Sequence, residues 1–316
     1  MKDSFGRQID YLRLSVTDRC SLRCLYCMPD AGVRLVDHSD LLTFEEIERL
    51  ARILKKIGIR KVRITGGEPL LRRGLPDLIE KLRMVGFDEL VLTTNGLLLP
   101  EMAVDLKEAG VSRVNVSLDS LRDETLAAIT RGAVRVEMVE RAISAAISAG
   151  LIPVRVNCVV MRGVNDSEIA DFIVWAAGEG VHVRFIEHMP TSLGAGSFFP
   201  AGEMLSRASV LGKPVEELHV SGEVQRTFTI EGTEFRFGII SPLSVMDFCE
   251  RCRRLRLSAT GRLLTCLSRE DGVDLRTALR SGAEDGRLTD SILQAVSEKP
   301  LRHDGCIGMK MWRTGG

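Results

Sequence analysis

Residues 11–28 read YLRLSVTDRCSLRCLYCM, an apolar strand-like run that leads directly into three closely spaced cysteines. The alternating pattern of 11–16 predicts a β-strand, and the cysteines begin where that strand would end. Comparable runs recur along the chain, at 62–65, 90–94, 114–118, 154–160 and 181–186. The sequence therefore predicts a series of strands that extends to residue 186.

Amphipathic stretches with helical spacing separate these runs. The first, 44–57, is preceded by Thr43 and contains Glu46, which together form a capping-box pair. Four glycines follow such stretches, where a left-handed residue would end a helix: Gly58, Gly86, Gly110 and Gly150. The other helical stretches are 76–85, 101–109, 137–149 and 167–177. Alternation of strand and helix implies parallel strands, so we predict the α/β class and an incomplete (β/α)6 TIM-type barrel.

The alternation stops after Met189. A loop containing Gly and Ser covers 191–200, a helical stretch covers 201–210, and a β-pair is predicted around 224–240. A second group of cysteines and two short helical stretches follow. We therefore expect a partial barrel at 1–195 and a smaller C-terminal module at 196–316, the module carrying the second group of cysteines.

The composition is that of an ordinary globular protein. Of the 316 residues, 45% are hydrophobic and 27% are charged, and the formal net charge is zero. Neither nucleic acid nor a membrane is therefore indicated as a partner, and an anionic ligand would need a local cluster of Arg or Lys. The polar N-terminal residues do not resemble a signal peptide, so the cytoplasm is the expected location.

Six of the eight cysteines fall into two tight triplets, a spacing that favours metal binding over disulfides in a chain of this kind. The other two, Cys158 and Cys306, stand apart. Cys158 lies within an apolar run and is expected to be a small buried hydrophobic residue.

The first triplet, Cys20, Cys24 and Cys27, follows the first predicted strand. Three thiolates can hold three irons of a [4Fe–4S] cluster and leave the fourth iron open to a small molecule. Arg19 and Arg23 would offset the negative charge of the sulfurs. A zinc knuckle with a distant fourth ligand is the alternative, although zinc sites more often use Cys-x-x-Cys pairs.

Polar residues also follow the other predicted strands, where the working residues of parallel barrels lie. The segment 65–69, TGGEP, comes after the second strand. Its adjacent glycines permit close approach of the backbone to a ligand, and Glu68 suits an ammonium group, although Gly-Gly is often only a turn. The remaining strand-end residues are Thr94, Asn95, Ser117, Asp119, Asn157 and Met189.

The second triplet is Cys249, Cys252 and Cys266, again with three thiols. A structural zinc site would need a fourth ligand, which His219 or His303 could supply. An open iron–sulfur cluster would instead offer a coordination site to a substrate.

Several arginines point to a polyanion. Arg254 and Arg256 are two residues apart, so on an extended segment both side chains point the same way and suit a phosphate chain. A solvated basic loop is the alternative. Charged residues inside predicted central strands are costly unless they are paired or face a ligand. These residues are Arg13, Lys61, Arg63, Arg155 and Arg184.

The first triplet together with Tyr26 resembles the signature Cys-x-x-x-Cys-x-aromatic-Cys of the radical S-adenosylmethionine (SAM) superfamily. Within it, the ordered set of motifs resembles the GTP 3′,8-cyclase family of molybdenum cofactor biosynthesis nearly from end to end. The matching segments are 12–29, 61–73, 93–96, 114–119, 184–189, 248–267 and the terminal Gly315 and Gly316.

The resemblance implies two [4Fe–4S] clusters, with SAM bound to the open iron of the first. A 5′-deoxyadenosyl radical would then take the ribose 3′ hydrogen of GTP, and the product would be (8S)-3′,8-cyclo-7,8-dihydroguanosine 5′-triphosphate. It also implies cyclic pyranopterin monophosphate synthase as the downstream enzyme and an electron donor such as flavodoxin or ferredoxin. A homodimer is compatible with it.

The resemblance carries over residue by residue. The cluster ligands would be Cys20, Cys24, Cys27, Cys249, Cys252 and Cys266. The SAM contacts would be Tyr26, Gly67, Ser117 and Met189. The GTP contacts would be Arg13, Arg63, Thr94, Arg155, Arg184, Arg254 and Arg256. The family commonly has Lys in place of Arg155. It commonly has an apolar residue in place of His188, and we interpret that second difference as local packing. The terminal glycines would form a flexible tail that reaches the active site.

Two other functions fit parts of the sequence. A peptide-modifying radical enzyme with auxiliary clusters would usually carry more cysteines after the barrel than are present here. A zinc-stabilised binding protein would leave the segment 65–69 and the polar strand ends unexplained.

Overall fold

The computed structural model describes residues 1–29, 31–189, 196–217, 224–269 and 271–303. Its strands are β1 (Tyr11–Ser15), β2 (Lys61–Thr65), β3 (Glu89–Thr94), β4 (Arg113–Ser117), β5 (Arg155–Val160), β6 (His182–Glu187), β7 (Pro214–Glu216), β8 (Arg226–Ile230), β9 (Arg236–Ile240), β10 (Arg254–Leu257), β11 (Arg262–Leu264) and β12 (Val273–Asp274). Its α-helices are α1 (Phe44–Lys56), α2 (Leu75–Val85), α3 (Leu99–Ala109), α4 (Asp123–Thr130), α5 (Val136–Ser148), α6 (Ile169–Gly178), α7 (Ala201–Ala208), α8 (Leu275–Arg280) and α9 (Asp285–Ser297).

All described strands belong to one sheet, in the order β12-β11-β10-β1-β2-β3-β4-β5-β6-β9-β8-β7. Each of β1 to β5 pairs in parallel with the next strand along the chain. Two strands of the C-terminal module extend this parallel set, because β10 pairs with β1 and β9 pairs with β6. The predicted α/β fold with six parallel strand–helix units is therefore confirmed, as is the β-pair around 224–240, which forms β8 and β9.

Side chains alternate between the two faces of each parallel strand. On β1, Leu12 and Leu14 are 1% exposed and belong to the apolar core shared with the helices. Arg13, between them, lines the inner cavity, and the same alternation places Arg63 of β2 inside. Full burial of a Leu side chain stabilises the fold by about 1.5–3 kcal/mol, so the outer faces hold the barrel together and leave the inner faces free for polar residues.

The predicted helix boundaries are largely correct. The α1 capping box is present, since Thr43 Oγ1 accepts from the Glu46 N–H and Glu46 Oε2 accepts from the Thr43 N–H. Gly86 and Gly110 end α2 and α3 with φ of 86° and 118°, in the left-handed region that glycine adopts without strain. In the described part of the chain, no helix is both long and apolar enough to cross a bilayer.

Some elements were not predicted. The helix α4 lies between β4 and β5, before the only helical stretch predicted there, 137–149. The short strands β7, β10, β11 and β12 carry too few residues for a periodic signal. The predicted domain boundary at residue 195 lies outside the described residues. One sheet contains strands from both predicted domains, so the strand pairing does not separate them. The division at 195 stays a prediction.

Candidate active site

A cavity of about 610 Å³ brings the predicted site residues together. It is lined by both cysteine triplets, by all four predicted SAM contacts and by all seven predicted GTP contacts. A volume of this size is typical of a site for a small ligand. The individual roles of these site residues stay predictions, but residues that are far apart in the sequence line one cavity.

The first triplet forms a tight turn directly after β1. The N–H groups of Cys27 and Met28 both donate to the carbonyl of Cys24, at 2.9 and 3.0 Å. Burial raises the pKa of the Cys27 thiol to about 12, with further contributions from the neighbouring Cys20 and from Asp119. Crowded thiolates need compensating positive charge, which the irons of a cluster supply, so this donor set fits a cluster.

Tyr26 connects the triplet to the end of β4. Its hydroxyl donates to Asp119 Oδ2 at 2.8 Å, while Asp119 Oδ1 accepts from the Val159 N–H at 2.8 Å. Burial raises the pKa of Asp119 to about 6, although both hydrogen bonds lower it. His188 packs edge-on against the Tyr26 ring, with the ring centroids 6.4 Å apart, which agrees with the packing role expected for it.

The glycines of segment 65–69 permit a close approach between two backbone segments of this protein. A Cβ on Gly67 would lie 2.3 Å from the carbonyl oxygen of Arg19. The N–H of Gly67 donates to the carbonyl of Thr17, and the N–H of Glu68 donates to that of Arg19, both at 2.7 Å. This loop therefore holds the residues that precede Cys20, and a contact of Gly67 with SAM stays a prediction.

Glu68 is 2% exposed and joins the ends of β2 and β3. Its carboxylate accepts from the Thr94 hydroxyl at 2.7 Å, the Asn95 N–H at 2.8 Å and the Leu70 N–H at 3.1 Å. Burial raises its pKa to about 6, against the lowering effect of these hydrogen bonds. The sequence suggested that Glu68 meets an ammonium group and Thr94 meets GTP, whereas the structure shows the two side chains bonded to each other.

Three arginines lie side by side on the inner face. Strand register places Arg13 opposite Arg256 of β10 on one side and opposite Arg63 of β2 on the other. Burial lowers the pKa of all three, and the pKa of Arg256 falls to about 10, partly because of Arg254. Among the described residues, the buried donors Arg63 Nε and Arg256 Nη1 have no hydrogen-bond partner, so the row is suited to an anion.

Arg184 is oriented by two amides across the inner face. Its Nη2 donates to Asn115 Oδ1 at 2.7 Å and to Asn157 Oδ1 at 2.6 Å, while its buried Nε has no partner in the part of the chain that the structure describes. Asn115 was not predicted as a site residue. Its position between Val114 and Val116 of a buried strand was the available signal, because a buried amide requires partners.

Ion pairs explain only part of the positive charge. Nine Arg and Lys residues line the cavity against four Asp and Glu residues. Glu89 pairs with Lys61 and with Arg113, and Asp10 pairs with Arg253. Within the described residues, no carboxylate pairs with Arg63, Arg184, Arg254 or Arg256, so the cavity as a whole is complementary to a polyanion.

The second triplet comes from two segments. Cys249 and Cys252 lie in the loop before β10, and Cys266 lies in the turn after β11. The Cys252 N–H donates to the Cys249 carbonyl at 3.1 Å. Burial raises the pKa of Cys252, but the charges of Lys299 and Arg254 outweigh it, so the pKa is lowered overall. Nothing in the sequence indicated Lys299, because it lies 33 residues beyond the last cysteine of the triplet.

The zinc alternatives lack a complete ligand set in the parts of the chain that the structure covers. There, no three His, Cys, Asp or Glu side chains are close enough together to hold one metal ion. Cysteines of a [4Fe–4S] cluster bind different irons and therefore stand farther apart than zinc ligands. His303 Nε2 lies 3.1 Å from the Pro242 carbonyl. His219, Cys306, Gly315 and Gly316 lie outside the described residues.

Two family descriptions match the chain: "Radical SAM superfamily" over residues 14–176 and "Molybdenum Cofactor Synthesis C" over residues 181–305. The GTP 3′,8-cyclase of Heliobacterium modesticaldum is 47% identical over 312 residues, which cover 96% of this chain and 94% of the relative. That of Geobacter sulfurreducens is 47% identical over 307 residues, covering 95% and 93%. The chain belongs to the GTP 3′,8-cyclase family of the radical SAM superfamily.

Solved structures share the fold. Streptococcus suis SuiB bound to S-adenosylmethionine matches with a TM-score of 0.62 at 14% identity, over 89% of this chain and 68% of that one. Methylornithine synthase matches with a TM-score of 0.51 at 16% identity, over 66% and 64%. Membership of this family implies SAM and two [4Fe–4S] clusters as the cofactors, and the two open triplets described above fit them.

Proposed function

We propose that this protein converts GTP to (8S)-3′,8-cyclo-7,8-dihydroguanosine 5′-triphosphate, the first step of molybdenum cofactor biosynthesis. The observation that carries the proposal is one cavity that contains two incomplete cysteine triplets and a row of three adjacent arginines. The relatives named GTP 3′,8-cyclase support the same activity.

The cysteines are assigned to the clusters in their sequence order. Cys20, Cys24 and Cys27 would hold the first cluster, and Cys249, Cys252 and Cys266 would hold the second. With SAM bound, the cluster held by these first three cysteines would supply radical chemistry directed at the ribose of the nucleotide. The contacts proposed for SAM are Tyr26, Gly67, Ser117 and Met189.

The proposed GTP contacts are Arg13, Arg63, Thr94, Arg155, Arg184, Arg254 and Arg256. The inner face offers the triphosphate several guanidinium groups, and burial lowers the pKa of Arg63, Arg184 and Arg256. Charge-assisted hydrogen bonds to such groups are strong, and a phosphate chain can accept from several of them at once. Asn115 and Asn157 restrict Arg184 to one orientation, which reduces the entropy that binding would cost.

The proposal extends to partners and location. Cleavage of SAM needs one electron, which a donor such as flavodoxin or ferredoxin would supply. Cyclic pyranopterin monophosphate synthase would consume the product, and the cytoplasm would house both steps. A homodimer and a division of the chain at residue 195 belong to the same proposal.

Anaerobic incubation with GTP, SAM and dithionite tests the proposed function. We expect 5′-deoxyadenosine and an isomer of GTP to form together, and we expect GMP to compete poorly because it lacks two of the phosphates that the arginines would bind. Formation of deoxyadenosine with GTP unchanged would show that the substrate assignment is wrong.

A further inference from the structure

Two buried cations, Arg7 and Lys299, lie beside the second triplet, and both lie outside the motifs that identified the site. Arg7 is 8% exposed and Lys299 is 2% exposed. A buried cation is costly unless its donors are satisfied, so the acceptors of these two side chains show what the burial achieves.

Arg7 connects three segments of the chain. Its Nη1 donates to the carbonyls of Cys249 at 2.8 Å and Leu301 at 3.0 Å, and its Nη2 donates to the carbonyl of Pro300 at 2.7 Å. Its Nε pairs with Asp3 Oδ2 at 2.6 Å. One planar guanidinium therefore fixes the first cysteine of the triplet against both the N-terminal segment and residues 300–301.

Asp3 holds Arg7 in place. Its Oδ1 accepts from the N–H groups of Phe5 and Arg7, at 3.0 and 2.9 Å, and its Oδ2 forms the ion pair. The hydroxyl of Ser4 also donates to the carbonyl of Ser297 at 2.5 Å. The N-terminal loop is thus attached to the C-terminal end of α9 and to the chain that follows it.

Lys299 fixes the other two cysteines. Its Nζ donates to the carbonyl of Arg254, two residues after Cys252, at 3.2 Å. It also donates to the carbonyl of Thr265, the residue before Cys266. A single ammonium group therefore joins the backbones that carry Cys252 and Cys266.

We propose that Arg7 and Lys299 are positioning residues that hold the three cysteines of the second triplet at the separation an open cluster requires, which makes the N-terminal segment 1–10 part of that site. The proposal rests on the proposed function only in treating this triplet as a cluster site. Hydrogen bonds to backbone carbonyls fix where each cysteine Cα lies, and each positive charge partly compensates the cluster and its thiolates. The first triplet lies after β1 and receives no hydrogen bond from either side chain among the described residues.

The test compares Arg7→Met and Lys299→Met with Arg49→Met after anaerobic reconstitution of the full chain. Arg49 is a matched control because it also holds the C-terminal region, through Asp285 at 2.8 Å and the Ala283 carbonyl at 2.6 Å, but lies away from both triplets. We expect iron to fall from about eight towards about four per chain in the two test variants only. We expect a chelator to remove whatever iron is left at the second site about 10- to 100-fold faster than from the wild type.

SAM cleavage by the first cluster serves as an internal test of folding. We expect it to persist in Arg7→Met and Lys299→Met, with the EPR signal of only one cluster. Full iron content with normal chelator resistance would overturn the proposal. Loss of iron from both sites would also overturn it, since the two residues would then support the whole fold. A wild-type protein that holds eight irons but leaves GTP unchanged would contradict the proposed function and not this inference.

Discussion

At the scale of single residues, the two triplets should have separable roles. Cys24→Ala removes a ligand of the cluster that binds SAM, so we expect it to abolish SAM cleavage. Cys252→Ala leaves that cluster intact, so we expect cleavage to continue without the cyclic product. Deoxyadenosine and cyclised GTP should be quantified together in both variants. Equal loss of cleavage in the two would contradict separate roles.

Arg256 tests the assignment of the phosphate site. Its guanidinium is buried next to Arg13, and Nη1 has no partner within the described segments, so a bound phosphate would gain a charge-assisted hydrogen bond. We expect Arg256→Ala to raise the KM for GTP by about 10- to 100-fold and to leave the KM for SAM unchanged. Arg280→Ala, which removes a surface pair with Glu46, is the control. An unchanged KM for GTP in Arg256→Ala would show that Arg256 does not contact the phosphates.

The raised pKa of Glu68 predicts that the stability of the fold depends on pH. Its pKa rises from 4.5 to about 6 on folding, so the folded state binds its proton more tightly than the unfolded state. The corresponding stability is present below the unfolded pKa and is lost as the pH rises through the folded pKa. From about pH 5 to about pH 7.5, the wild type should lose on the order of 1 kcal/mol relative to Glu68→Gln. Parallel curves of unfolding free energy against pH would rule this out.

At the scale of elements, the loop after β2 depends on glycine because two backbones meet there. A Cβ at Gly67 would collide with the Arg19 carbonyl, and backbone cannot move aside as a flexible side chain can. We expect Gly67→Ala to destabilise the fold by about 1–3 kcal/mol and to weaken SAM binding.

Gly178→Ala is the matched control for Gly67→Ala. Gly178 ends α6, and apart from the helix's own backbone no atom of a described residue lies within 4 Å of the position that its Cβ would occupy, so the added methyl group has free space. We expect it to be neutral or to stabilise by about 0.5–1 kcal/mol. Urea unfolding of both variants would measure the difference, and equal effects would show that the close approach is not what requires glycine at 67.

At the scale of the whole molecule, the sheet crosses the predicted domain boundary. A truncation after residue 195 would remove β10, which pairs with β1, and β9, which pairs with β6. The unpaired edges of β1 and β6 would then be exposed. Exposed edges pair with other chains, so we expect a fragment of residues 1–195 to self-associate. Size-exclusion chromatography would measure this, and a monomeric fragment that unfolds cooperatively would show that residues 1–195 form an independent domain.

Much of the architecture could be predicted because its signals are local. Apolar periodicity identified β1 to β6, and capping residues located the start of α1 and the end of α2. Strands β10 to β12 were missed because two to four residues cannot show a period, and what makes them strands is pairing with partners that local periodicity does not reveal.

The sequence by itself determined which chemical groups this protein uses. The thiol spacings indicate metal ligands, the glycine pair at 66–67 indicates a close backbone approach, and the charged residues within apolar strands indicate an anion site, and all three are local patterns. Only the tertiary structure decided which partners each group meets. It pairs Lys61 with Glu89, bonds Thr94 to Glu68, and places Lys299 against the second triplet. The physical reason is that hydrogen bonds and ion pairs form only over a few ångströms. Distances this short between residues far apart in the sequence are fixed only in the folded chain, so local sequence patterns do not reveal them.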